Sequence, residues 1–196
     1  MKKASKNDWA EYYEITRSKP PTKLLIGALG YVKHKNKAID IGGGALKDTR
    51  YLLKKGFDVT VIDKSELMAK EARKITSEKL HYFIEPFDQF NFPENTFDIA
   101  SAMYALPFNS PYTFNNVLAK IKHSLVKGGI FCGQLFGTKD QWSGNIAMTF
   151  HTKAEAKKLF SDMEIINFTE EEYDGKTANG TPKHWHIFHF IVRKYD

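Results

Sequence analysis

Residues Lys37–Asp63, KAIDIGGGALKDTRYLLKKGFDVTVID, constrain this chain more than any other stretch. Lys37–Ile41 is a short Ile-rich apolar run bounded by a turn signal, the pattern of a buried strand. Gly42, Gly43 and Gly44 follow. Bare backbone at a strand's end predicts close approach by a ligand. Leu46–Lys55 reads as a helix. Tyr51, Leu52 and Leu53 give it an apolar face, Lys54 and Lys55 suit the negative end of its dipole, and Gly56 can stand just past it. Asp58–Asp63 is a second strand that ends in an acid. Such a β-α-β unit binds ligands outside the carboxyl ends of its strands. An acid about 20 residues past the glycines can accept hydrogen bonds from both hydroxyls of a ribose, which implies a nucleoside-bearing cofactor. The dinucleotide pattern G-x-G-x-x-G fails, because its last glycine would fall on Lys47.

The rest of the chain alternates in the same way. Asn7 or Asp8 can cap a helix to about Ser18, ended by Pro20-Pro21, with Trp9, Tyr12, Tyr13 and Thr16 along one face. A second helix spans Lys23–Tyr31. Ser65 can cap a helix over Glu66–Thr76. His81–Pro86 and Phe97–Met103 read as strands. Ser110-Pro111 opens a helix to about Leu125, and Ile130–Gly137 is a fifth strand. Thr152 and Glu155 form a capping box for a helix through Phe160. Glu164–Thr169 is a sixth strand, Gly175–Lys183 a polar connection, and Trp185–Lys194 the final strand. Strands alternating with helices predict a doubly wound, Rossmann-like α/β fold: a mostly parallel seven-stranded sheet with helices on both faces, preceded by N-terminal helices. The last two strands lack a helix between them, so the last should run antiparallel. The length suits one domain over 1–196, with 1–36 as a helical lid segment and 37–196 as the core.

Composition bounds the partners. The net charge of +6 comes from scattered lysines, which describes a solvated surface rather than a nucleic-acid groove. A single cysteine, Cys132, excludes a disulfide framework and a cysteine-rich zinc site. No stretch approaches the roughly 20 apolar residues of a membrane span, so a cytoplasmic location is the expectation.

Asp40, Gly42 and Gly44 spell D-x-G-x-G, which resembles motif I of the class I S-adenosylmethionine-dependent methyltransferases. Leu46 stands where that family's third glycine usually falls. Phe92, Pro93, Phe97 and Asp98 resemble its PF-P-x-x-x-FD signature, and Lys127-Gly128-Gly129 its L-K-P-G-G turn. Tyr13, Thr16 and Arg17 in YEITRSKPPTKLL, with VTVIDKS, resemble the tellurite-resistance-type members, although Lys19 stands where those carry His.

The resemblance implies S-adenosylmethionine as cofactor. Gly42, Gly43 and Gly44 would wrap its amino-acid portion, with Asp40 beneath them. Asp63 would bind the ribose and Lys64 cover the adenine edge. Glu85 or Asp88 would meet the adenine amine, with Phe87 in the same segment, and Ala102 would pass near the sulfonium. Arg17 would approach the cofactor or an anionic substrate, and Tyr13 would line the pocket. Tyr104, Trp142 and His151 are the candidates for the acceptor pocket, Trp142 being equally suited to packing. Positioning can supply much of the acceleration of methyl transfer, and a base is needed only if the nucleophile carries a proton. His151 and the histidines of KHWHIFHF are the base candidates. His184 and His186 share a strand face but have no evident third metal ligand, so no metal is expected. The expected function is methyl transfer to a small molecule. The alternatives are an RNA or protein methyltransferase, or a catalytically silent cofactor-binding protein.

Overall fold

The computed structural model describes residues 6–195, with side chains from Ala10 onward, so the packing expected of Trp9 lies outside the described residues. Five parallel strands form the body of the sheet: β1 (Lys37–Ile41), β2 (Asp58–Ile62), β3 (Leu80–Phe83), β4 (Phe97–Ala102) and β5 (Leu125–Gly137). A two-residue strand, β6 (Phe150–His151), pairs with the end of β5. Then come β7 (Met163–Lys176) and β8 (Pro182–Lys194). The sheet order is β3-β2-β1-β4-β5-β8-β7, with β8 antiparallel to both neighbours. The mostly parallel sheet and antiparallel last strand agree with the sequence expectation.

Six helices accompany it among the described residues: α1 (Lys6–Thr16), α2 (Lys23–Ala28, continued by a 3-10 turn Leu29–Tyr31), α3 (Lys47–Lys54), α4 (Glu66–Ala72), α5 (Pro111–Ser124) and α6 (Lys153–Lys158). Ser65 caps α4 by accepting from the Leu67 amide, and Thr152 with Glu155 closes the capping box of α6. One face of the sheet packs Phe114, Phe131, Phe160, Phe188 and Phe190. The other packs Leu25, Ala28, Leu52, Phe57, Ile130 and Cys132, under α2 and α3.

Two features depart from the sequence expectation. The β7–β8 hairpin is longer than Glu164–Thr169 and Trp185–Lys194. The polar connection shrinks to a turn in which the Thr177 amide donates to the Thr181 carbonyl at 2.8 Å and Gly180 takes φ +86°. Residues 170–176, EEEYDGK, form strand without apolar alternation because β7 is an edge, and ion pairs take the place of core contacts. β5 begins five residues early, its register with β4 shifting between Phe97 and Ile99, and Gly128 takes φ +71° within it. Between β3 and β4 the chain runs as a loop, in agreement with the sequence reading. It buries Phe90 and Phe92, whose rings meet edge to face at 4.9 Å.

Candidate functional site

The carboxyl ends of β1, β2, β3 and β4 bring the glycine loop, Asp63, Glu85 and Tyr104 to one rim of the sheet. The three glycines answer to different neighbours. A Cβ on Gly42 would stand 2.5 Å from the Ala105 Cβ and 3.3 Å from the Phe87 ring, and one on Gly43 would overlap Val61. The chain's own packing therefore requires these two, which corrects the expectation that all three make room for a ligand. Gly44 differs. It sits at φ +50°, and the nearest atoms to a Cβ there would be the Tyr12 ring at 3.8 Å and the Gly42 carbonyl at 3.9 Å. Leu46, at the usual place of a third glycine, takes a left-handed φ of 62°. That conformation costs about 1–2 kcal/mol in an L residue. Full burial of its side chain beside Tyr13, Val61 and Met68 offsets the cost.

Asp40 lies under the loop, buried. Thr49 Oγ1 donates to its Oδ2 at 2.6 Å and Ser101 Oγ to its Oδ1 at 3.4 Å. Burial pushes its carboxyl up to about 7, the nearby Asp48 adds to the rise, and the Thr49 hydroxyl opposes it. Asp48 is itself tied down: it accepts from the Thr22 amide and hydroxyl at 2.7 Å each, which fastens α3 to the segment before α2. Asp48, Thr49 and Ser101 escaped the sequence reading, and Thr22, which the sequence suggests as a cap of α2, gives its hydroxyl to Asp48 instead. A buried acid in the first turn of α3 was the available signal.

Asp63 accepts from the Gly44 amide at 3.0 Å through Oδ2 and from the Ser65 amide at 2.9 Å through Oδ1. Each oxygen retains a second lone pair for a further donor. Burial raises its pKa, and the two amide bonds hold it down. Lys64 beside it is exposed. The Glu85 amide donates to the Asp63 carbonyl at 3.2 Å, so this segment lies against the tip of β2. Phe87 is half-buried over Gly42. The Asp88 carbonyl accepts from Lys120. The Ala102 side chain is buried in the apolar core, so only its backbone is left for the rim.

The first helix divides. Tyr13 is buried, packed with Leu46 and Val61 in the neighbourhood of Asp63, which with burial raises its phenol pKa. It therefore backs the loop rather than lining an open pocket. Arg17 pairs with Glu14 at 3.0 Å, both groups largely exposed. The structure thus gives its guanidinium a surface partner in place of the cofactor or an anion.

Beyond Gly44 lies Tyr104, at φ +54°, a strained conformation for an aromatic residue. Its amide donates to Gln134 Oε1 at 2.8 Å, and the Gln134 amide nitrogen lies 3.5 Å from His189 Nδ1. Since Gln134 accepts through its oxygen, its nitrogen donates to Nδ1, which leaves the imidazole proton on Nε2, 3.4 Å from Glu171 Oε2. Burial pushes the Tyr104 phenol up to about 12, with Tyr173, Glu171 and Tyr12 as its charged or ionisable neighbours. Its ring meets Trp185 at 6.3 Å. Gln134 and His189 face each other across β5 and β8, and Glu171 and Tyr173 share that face from β7.

Trp142 packs against Phe108, Phe136 and Trp185. The buried Lys183 ammonium sits 4.3 Å from its ring centroid and 3.6 Å from that of Trp185, paired with Asp140. Trp142 is thus a packing residue, the other of its two expected roles. His151 is buried against Phe114 of α5 at 4.9 Å, where desolvation lowers its pKa, and nothing brings it to Tyr104. His184 pairs with Asp174, and His186 takes the Lys139 amide on Nδ1 and faces Glu170 through Nε2. Neither faces the rim, and no group of three or more metal-ligating side chains occurs among the described residues.

Residues 38–129 match the family model described as methyltransferase domain. This stretch, a little under half of the chain, is similar to that domain. Solved structures agree on the fold. An S-adenosylmethionine-dependent methyltransferase from Methanosarcina mazei superposes at a TM-score of 0.69 and 19% identity, over 90% of this chain and 99% of that one. TehB from Haemophilus influenzae gives 0.74 and 19%, over 87% of this chain and 61% of that one. The 1,6-didemethyltoxoflavin-N1-methyltransferase of Burkholderia thailandensis, solved with its substrate and S-adenosylhomocysteine, gives 0.66 and 21%, over 97% and 80%. No curated protein matches the chain. No helix among the described residues is long and apolar enough to cross a membrane.

Proposed function

We propose that this methyltransferase core transfers the methyl group of S-adenosylmethionine to a small-molecule acceptor. The observation that carries the cofactor is Asp63. It stands at the tip of β2, held by the Gly44 and Ser65 amides, with a lone pair free on each oxygen beside the uncrowded Gly44. That arrangement suits the two hydroxyls of a ribose. Gly44 leaves room for the amino-acid portion, and Asp40 with Thr49 holds the strand end beneath it. Phe87, with Glu85 before it, offers an adenine a ring and a carboxylate at the tip of β3. The bound cofactor supplies a methyl carbon activated by a sulfonium. The chain's own part is to bind, orient and shield.

The acceptor side supports a small molecule. In this reading Tyr12 beside Gly44, Tyr104 after β4 and Trp185 on β8 wall an aromatic cleft, with α1 as its lid. Calorimetric titration with S-adenosylhomocysteine tests the cofactor site. Release of S-adenosylhomocysteine in an acceptor screen tests the transfer. A folded protein that binds no S-adenosylhomocysteine at high micromolar concentration refutes the proposal.

A further inference from the structure

The walls of the cleft beyond Gly44 are aromatic and acidic. Tyr12 stands 3.8 Å from where a Gly44 Cβ would lie. Tyr104 comes next, with its ring against Trp185. Tyr173 and Glu171 follow on the same face of β7, opposite Trp185 and Ile187 of β8. The Tyr104 amide bonds Gln134, the Gln134 amide nitrogen lies 3.5 Å from His189 Nδ1, and His189 Nε2 lies 3.4 Å from Glu171 without a hydrogen bond to it. With Nδ1 accepting and the proton on Nε2, His189 has no free lone pair to act as a base. Among the described cations, Arg17 pairs with Glu14, Lys47 with Asp48 and Lys139 with Glu172, while the buried Lys183, paired with Asp140, lies against the Trp185 ring. The chain carries a net charge of +6, yet this cleft presents a carboxylate and electron-rich ring faces.

We propose that the acceptor is an amine, bound as its ammonium with the nitrogen between Tyr104, Tyr173 and Glu171, and that anionic acceptors are rejected. This inference rests on the methyl-transfer reading above. Ring faces and a carboxylate attract a cation and repel an anion. The bound ammonium first releases one proton to water at the open, Glu171 end of the cleft. The neutral nitrogen's lone pair then forms the bond to the methyl carbon while the carbon–sulfur bond breaks. That bond's electron pair stays on sulfur as a thioether, and the positive charge passes to the methylated nitrogen, which Glu171 again faces.

A matched pair of probes tests this. Phenethylamine and phenylpropionate present one ring on one spacer with opposite charge. Each is titrated by calorimetry into the protein alone and into the protein saturated with S-adenosylhomocysteine. Phenethylamine should bind about tenfold more tightly. Glu171→Gln should weaken it about three- to tenfold and leave S-adenosylhomocysteine affinity unchanged. Glu172→Gln, on the opposite face of β7, should change neither. Equal or tighter binding of phenylpropionate, binding of neither probe, or equal effects of the two substitutions overturns the proposal. Failure of S-adenosylhomocysteine to bind overturns the methyl-transfer reading instead, and the probe titrations on the protein alone still decide the charge preference.

Discussion

Gly42, Gly43 and Gly44 are alike in the sequence and stand under different constraints in space, and substitution should separate them. Gly42→Val forces a branched side chain into Ala105 at a left-handed backbone, so it should lower the thermal midpoint by several degrees, read by circular dichroism. Gly44→Ala meets only ordinary contacts. It should cost about 1 kcal/mol of stability for its φ while weakening S-adenosylhomocysteine at least tenfold. Asp63→Ala removes charge-assisted acceptors and should weaken that ligand by about 1–3 kcal/mol in calorimetry. Asp40 carries a pH signature. Its folded-state carboxyl stands near 7 against an ordinary 3.8, so between those values the folded protein holds a proton that the unfolded chain releases. Its contribution is fully present below about pH 4 and is lost as pH rises to 7. Asp40→Asn should therefore gain on the parent by about 1–4 kcal/mol across that window in urea unfolding at stepped pH. Asp40, the glycines and Asp63 were legible because motif spacing fixes them locally. The clasps Asp48–Thr22 and Gln134–His189 were not, because they join residues 26 and 55 positions apart and leave no periodic trace.

Among the elements, the β7–β8 hairpin departs furthest from what its residues announce. An apolar alternation marks a strand with one buried face, and β7 lacks it over residues 170–176. Its partners are polar and come from elsewhere: Lys139 to Glu172, Lys153 to Glu170, His184 to Asp174. The anchor beside the turn of the hairpin is Lys183, whose pKa burial lowers while Asp140 works against the fall. Asp140 also accepts from the Trp142 and His186 amides, so it holds the loop after β5 against β8. Lys183→Met should destabilise by about 3–5 kcal/mol because it strands a buried carboxylate. The double variant Asp140→Asn with Lys183→Met should recover much of that loss, read by denaturant midpoints. The cap of α4 and the capping box of α6, by contrast, were readable from Ser65, Thr152 and Glu155, since a cap is decided within four residues.

At the scale of the whole molecule, the order of elements was the most legible property. Strand and helix alternate along the chain, and a parallel sheet with helices on both faces follows from connectivity alone. The last two strands, joined without a helix, located the antiparallel end. The early start of β5 was hidden, because Lys127-Gly128-Gly129 reads as a turn and the structure carries it within the strand. Distribution of charge was hidden as well: a basic chain concentrates acids on one edge strand and around one cleft, which composition averages away.

Cys132 sits between β4 and β8 with its thiol fully buried, and that burial pushes its pKa well above the ordinary range. A thiol of that kind is silent toward alkylating and disulfide reagents at neutral pH. Ellman's reagent should therefore titrate no thiol in the native protein and one in urea. The molecule thus arrives ready for single-site labelling with its native sequence otherwise intact. A dye on Ala10→Cys, at an exposed position of α1, would sit alone on the helix that stands over the glycine loop, and its emission would report each arrival and departure at the cleft.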